Sequence, residues 1–305
     1  MQVEQSTRRV GVGTAGHHHG EILQGALHRS GELVACLVTM PARGIGSTAR
    51  FLRTSQGSWE VAPKWKRKAE QAARLTLAHI GERLSGRLEI ECSVAMGIGL
   101  GSSTCDVVAA IRAVCSAHGA GLDAGQVARI AIEAEGAADP IMFEDEVVLF
   151  AQRRGQVLES LGGWIPSYTV LSVDTDVGTA GIDTMSLPLP NYTDAELAAL
   201  GRMIDRMREA FRQRDSAAIA AIATQSARLN QRFVALRHFR EICALADAHR
   251  ALGVQISHSG TVAGILFDPR LVTPDCDAAS RAAAELRSLG VRPLQQFTTG
   301  SIPVQ

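Results

Sequence analysis

Four segments of this chain carry groups that could do chemistry. The first is Met96-Gly97-Ile98-Gly99-Leu100-Gly101-Ser102-Ser103, three alternating glycines followed by two serines. It runs out of a strand pattern (Leu88, Ile90, Cys92, Val94) and into a helical one, with Val107, Val108, Ile111, Val114 and Cys115 on one face. Glycines let the backbone approach a ligand closely. The unpaired N–H groups of a helix N-terminus add donors and the positive end of a dipole, so the segment suits a phosphate. Ser102 or Ser103 could add a hydroxyl to a phosphate or to Mg²⁺. A glycine-rich turn with a serine cap would leave the same pattern.

The second segment, Ile132-Glu133-Ala134-Glu135-Gly136-Ala137-Ala138-Asp139-Pro140, puts three carboxylates near a predicted helix end. Acids there oppose the helix dipole. That penalty points to use, as a Mg²⁺ ligand or a base; a solvated helix end is the alternative. The third, His258-Ser259-Gly260-Thr261, lies between two strand patterns and reads either as a phosphate clamp or as a tight hairpin turn. The fourth is His17-His18-His19. Three consecutive side chains converge poorly on one ion, unlike a helical i, i+4 pair, so one histidine facing a substrate pocket is the better reading. Gly11-x-Gly13-x-x-Gly16 has dinucleotide-fingerprint spacing, but such a fingerprint ends a strand and opens a helix. The residues after Gly16 read instead as a hairpin, so we take the glycines as a backbone turn near a ligand.

Composition excludes other chemistries. Lysine occurs only as Lys64, Lys66 and Lys68, which read as one solvated charge run. No Gly-Lys pair exists, so there is no P-loop of the G-x-x-x-x-G-K-[ST] kind, and no G-x-S-x-G elbow surrounds a serine. Lys+Arg and Asp+Glu are both 31 and aromatics only 4%, which argues against nucleic acid and anionic membranes as partners. Six scattered cysteines form no C-x-x-C pair and read as reduced thiols. Met1–Arg9 has no signal-peptide character, and no apolar run approaches the roughly 18 residues that span a bilayer. The expectation is a soluble cytoplasmic protein.

The elements that must position these groups come from periodicity. Ile22–Leu27 and Leu33–Val38 read as a hairpin around Arg29-Ser30-Gly31. A helix is expected from Pro63 to about Leu84, and another from Asp123, as cap, to near Gly136. The second half predicts a strand at Tyr168–Val173, then a capping box at Thr193-x-x-Glu196 that opens a helix through Phe211. Next come a helix capped by Asp215 and one ending near Gly253. The tail reads strand (Val254–His258), strand (Ala263–Phe267), helix (about Asp277–Leu289), strand (Arg292–Thr298). Strands and helices mix without regular alternation, giving an α+β class in two domains, 1–165 and 166–305, divided near Gly162–Pro166.

Taken together, these segments resemble the galactokinase, homoserine kinase, mevalonate kinase and phosphomevalonate kinase superfamily, the GHMP kinases. Gly97–Ser103 looks like its phosphate-loop motif P-x-x-x-G-L-G-S-S-A, without the proline and with Thr104 in place of alanine. The closer likeness is to the L-threonine kinase branch. Gly20-Glu21-Ile22-Leu23-Gln24-Gly25 looks like C-G-E-L-x-Q-G, and Asp139-Pro140-Ile141-Met142-Phe143 like D-x-x-M-F. Leu149-Phe150 through Leu158-Glu159-x-Leu161-Gly162 continues it, and Ser257-His258-Ser259-Gly260-Thr261 matches its last motif. The likeness runs from about Gly11 to Phe267.

The resemblance implies a domain like ribosomal protein S5 domain 2, then a ferredoxin-like domain, with ATP and substrate meeting between them. It assigns the ATP phosphates to Gly97, Gly99, Leu100, Gly101, Ser102, Ser103 and Thr104. Mg²⁺ falls to Ser103 and Glu135, with Glu133 competing, and the acceptor's proton to Asp139. Ser259, Gly260 and Thr261 would close on phosphates or substrate; His18, His19 and Glu21 would line the acceptor pocket. The implied reaction is ATP-dependent phosphorylation of an amino-acid hydroxyl, L-threonine to O-phospho-L-threonine, with homoserine or another hydroxy amino acid as alternative acceptors. His17–His19 depart from the branch's Ala-Ser-Cys, which makes the acceptor the weakest implication. A homodimer is compatible with this reading. A ligand sensor without turnover is the competing reading, opposed by the presence of Asp139, Ser103 and Glu135.

Overall fold

The structure is a computed structural model that describes residues 10–54, 57–93, 101–179, 190–273 and 276–300. Two long strands, β1 (Val10–Arg29) and β2 (Glu32–Leu52), run antiparallel around Ser30-Gly31, so the predicted hairpin is the closed end of a longer ladder. The Gly11/Gly13 pair lies inside β1. A Cβ on Gly11 would sit 2.2 Å from the Ala117 nitrogen, and one on Gly13 2.3 Å from the Ala109 oxygen. The dinucleotide-like spacing therefore serves close packing of a helix on the strand, not a ligand turn.

Beside β2 lies β4 (Gly86–Cys92), and β3 (Trp59–Ala62) pairs parallel with β4. Between β3 and β4 runs α1 (Arg67–His79), shorter at both ends than expected; Ala69, Ala72 and Ala73 form its buried face. Then come α2 (Ser102–His118) and α3 (Ala124–Glu135), the latter opened by the expected Asp123 cap, here a capping box with Gln126. A hairpin of β5 (Val147–Ala151) and β6 (Gln156–Gly162) comes next, unforeseen because β5 is buried along its whole length and so shows no alternation.

The second half comprises β7 (Thr169–Asp174), α4 (Asp194–Gln213), α5 (Ser216–Asn230), α6 (Phe239–Ala248), β8 (Gly253–Ile256) and β9 (Val262–Phe267). A two-residue ladder of β10 (Val272–Thr273) and β11 (Cys276–Asp277) precedes α7 (Ala278–Ser288) and β12 (Arg292–Thr298). The capping box of Thr193 with Glu196 and the Asp215 cap form as predicted. The order β12-β7-β9-β8 places the fourth, first, third and second of these strands side by side. That is the ferredoxin-like arrangement.

A single bridging pair, Glu21 with Ile256, joins β1 to β8 and makes one sheet ordered β12-β7-β9-β8-β1-β2-β4-β3. One apolar cluster packs α1, α2 and α3 on the first strands, and another packs α6 and α7 on the last. A third contains Ile22, Leu23, Val38 and Met40 together with Tyr168, Val170, Leu200 and Ile222, so both halves share it. Ile165, in the segment between β6 and β7, belongs to it too. Among the described residues no helix is long and apolar enough to cross a membrane.

Candidate active site

The N-terminus of α2 is the anchor. Gly101 caps it with φ of 68° and no side-chain hydrogen bond, so the first N–H groups of a 17-residue helix have no side-chain cap. A Cβ at Gly101 would stand 2.2 Å from the His18 ring and 3.4 Å from an Asp139 oxygen. Glycine is required twice, by conformation and by space. Gly97, Gly99 and Leu100 lie outside the described residues. Ser102, Ser103 and Thr104 form the first turn.

The α3 terminus meets that turn. Ser103 Oγ donates to Glu135 Oε2 at 2.7 Å and Thr104 Oγ1 to Glu135 Oε1 at 2.8 Å. Burial raises the Glu135 pKa to about 7 against those two hydroxyls, which favour the carboxylate. Glu133, two residues earlier and on the other side of the same helix, is exposed. Beyond Gly136 the chain is tied to the β5–β6 turn by Ala138 N–H donating to the Gln152 carbonyl at 3.0 Å, which delivers Asp139 to the same spot. The Asp139 N–H points at Thr104 Oγ1, 3.4 Å away.

From β1 comes His18, whose Nε2 lies 2.8 Å from Asp139 Oδ2. Burial disfavours the imidazolium, but the charge and hydrogen bond of Asp139, helped by Glu21 and the Gly20 backbone, outweigh it and lift the His18 pKa to about 9. Burial likewise opposes the Asp139 carboxylate, and His18 more than offsets that, so Asp139 stays ionised below its ordinary range. Thr39 Oγ1 donates to Glu21 Oε2 at 2.8 Å, and burial raises the Glu21 pKa to about 8. Ligand atoms of His18, Glu21 and Asp139 lie within 4.8 Å of one another.

The three histidines diverge. His17 and His18 line a cavity of about 360 Å³ with Thr39, Pro140, Phe143 and the acidic run Glu144-Asp145-Glu146. Its described lining contains no lysine or arginine. His19 turns the other way, onto Ser172 Oγ at 2.7 Å and the Gln255 amide. Burial and the neighbouring histidines press its pKa down to about 3, so it is a neutral tie between β1 and the second half of the sheet. It does not line the cavity that His17 and His18 line, although the resemblance grouped it with His18.

The 257–261 turn approaches from β8–β9. Thr261 Oγ1 donates to the buried Asp174 at 2.7 Å, away from Asp139, while Ser257 Oγ accepts from Gly260 N–H at 3.2 Å. Ser259 sits in the same turn. His258 is the member whose charge Asp139 feels; burial lowers its pKa. Its Nδ1 lies 2.8 Å from Gln24 Oε1, which as an acceptor places the proton on Nδ1. Gln24 and His258 both stand inside the sequence motifs, but spacing gives neither of them a role. The reading of Lys66 as solvated is corrected. It is 6% exposed and donates to Asp106, which also accepts from Ser47 Oγ at 2.7 Å. A lone acid on the apolar face of α2 is the signal in the sequence.

Two family models match the chain, GHMP kinases N terminal domain over residues 67–144 and GHMP kinases C terminal over residues 207–292. The chain belongs to the GHMP kinases. The first match holds the α2 terminus, Glu135 and Asp139; the second ends at the start of β12. Among solved structures, this GHMP kinase superposes on homoserine kinase from Cytophaga hutchinsonii with a TM-score of 0.70, 14% identity and coverage of 98% of this chain and 97% of that one. Mevalonate kinase of Methanococcus jannaschii gives 0.64 at 13% identity, covering 98% and 99%. An L-threonine kinase of Citrobacter freundii is 25% identical over 193 residues, 63% of this chain. The match spans 65% of that relative's length.

Proposed function

We propose that this GHMP kinase is an ATP-dependent phosphotransferase acting on the side-chain hydroxyl of a small amino acid, with L-threonine as first candidate and O-phospho-L-threonine as product. The observation that carries the reading is the Asp139–His18 pair set against the uncapped start of α2. The L-threonine kinase match supports the acceptor. So does the acidic run on the cavity wall, which suits an ammonium group and comes with no described lysine or arginine for a phosphorylated acceptor.

Phosphoryl transfer asks a protein mainly for positioning and charge neutralisation. The first N–H groups of α2 supply both to the ATP phosphates. Ser103 and Glu135 are hard oxygen donors already in mutual contact, a set that fits Mg²⁺. Bound there, Mg²⁺ would neutralise phosphate charge. Asp139, kept ionised by His18, accepts the acceptor's hydroxyl proton as the new O–P bond forms and the bond from the γ-phosphorus to the ADP oxygen breaks. The free thiols of the described cysteines fit a cytoplasmic enzyme.

The test is a panel of threonine, serine, homoserine, an amino alcohol without the carboxylate and a hydroxy acid without the amine, each with ATP and Mg²⁺. ADP release and product mass are read together. Turnover of threonine above the rest supports the proposal. No turnover of any amine-bearing acceptor rejects it, and ATP binding without turnover would favour the sensor reading.

A further inference from the structure

Glu21 takes no step in the proposed phosphoryl transfer, yet the residue is 1% exposed and one of its carboxyl oxygens is hydrogen-bonded. Thr39 Oγ1 fixes Oε2. Oε1 faces His18 Nδ1 at 3.7 Å, and neither atom has a hydrogen-bond partner. Residues three apart on a regular strand point to opposite faces. Here the register shifts between His18 and Glu21, and Gly20 takes φ of 64°, which turns both side chains to one side. The irregularity thus builds a buried line running Thr39, Glu21, His18, Asp139. Glu21 is absent from the cavity lining, so it does not face the acceptor.

We propose that Glu21 is a positioning residue that acts on Asp139 chiefly through His18, facing the ring and holding its proton. The proposal rests on the kinase reading for its kinetic arm alone. The groups that act on His18, or on which it acts, are Asp139 from the segment after α3, His258 from the β8–β9 turn, and Glu21 and His19 from β1 itself. As pH rises through about 8 the Glu21 carboxyl ionises, and its charge then resists loss of the His18 proton.

Glu21→Gln keeps the shape and removes the charge. In this variant kcat changes little near neutrality and falls about tenfold in the alkaline range, because the alkaline limb moves down by roughly one pH unit. KM for the acceptor stays put. In a His18→Gln background the same change adds little, since the residue through which Glu21 chiefly acts is gone and only its direct charge on Asp139 is left. Histidine side-chain NMR on the ligand-free protein shows the His18 pKa lower in Glu21→Gln than in wild type, whether or not an acceptor has been found. A pH profile and His18 titration that superimpose on wild type overturn the proposal. A tenfold rise in acceptor KM at constant kcat, or an undiminished effect in the His18→Gln background, does so as well.

Discussion

Gly101 and His18 are in van der Waals contact where the N-terminus of α2, β1 and Asp139 meet. A Cβ on Gly101 would lie 2.2 Å from His18 Cδ2 and 2.3 Å from Nε2, the nitrogen bonded to Asp139. The missing side chain is what allows the N-terminus of α2 and the His18–Asp139 pair to share one site.

Gly101→Ala should therefore damage catalysis more than stability. Holding alanine at φ of 68° costs about 1–2 kcal/mol, and the methyl must push the imidazole off Asp139. The expected result is a folded protein with kcat lowered by at least about tenfold and a displaced His18 titration. Denaturant unfolding and steady-state kinetics check the two halves. Full activity would show that the loop relaxes around the methyl.

Asp139→Asn keeps the volume and removes the base. Positioned acid–base groups contribute about 10²- to 10⁴-fold, so kcat should fall within that range. ATP binding, measured by calorimetry, should change little, because the proposed phosphate site is the N-terminus of α2 and not Asp139. Without the Asp139 charge His18 loses its largest support, and its pKa should drop below about 9.

Much of this arrangement is legible in the sequence. The serines that open α2, the carboxylates beside Gly136 and the strand-strand-helix-strand tail all signal through local spacing, and all stand where expected. What escapes depends on partners far away in the chain. His17, His18 and His19 are indistinguishable as neighbours; bulges between β1 and β2 decide that His18 meets Asp139, 121 residues on, while His19 meets Ser172. Lys66 looks like its exposed neighbours until Asp106 closes on it. Gly11 and Gly13 keep their fingerprint spacing for helix packing, a purpose that spacing alone does not reveal.

The His18–Asp139 pair sets a pH dependence with a definite sign. The His18 pKa is raised from 6.5 to about 9 in the fold. Its contribution to stability is thus fully present below 6.5 and is lost as pH rises through about 9. The imidazolium is also the counter-charge and hydrogen-bond donor that holds Asp139 in place, so kcat should fall over the same alkaline range. In His18→Gln that limb should vanish from both the kinetic profile and the denaturation free energy. Persistence of the limb would assign it to another group.

Lys66 and Asp106 form an ion pair whose side chains are 5% and 7% exposed, joining the start of α1 to the first turns of α2. Removing one partner leaves a buried charge without compensation, which typically costs about 3–5 kcal/mol. Lys66→Met should destabilise by that order, although a surface reading of the Lys64–Lys68 run predicts almost nothing. Replacing both partners, as Lys66→Met with Asp106→Leu, removes the desolvated charges together and should recover much of the loss. Ser47 keeps the recovery incomplete, because its hydroxyl donates to Asp106 at 2.7 Å and would then be unsatisfied. Urea unfolding of the two single variants and the double variant measures the coupling. Additive effects would mean that the two groups do not depend on each other.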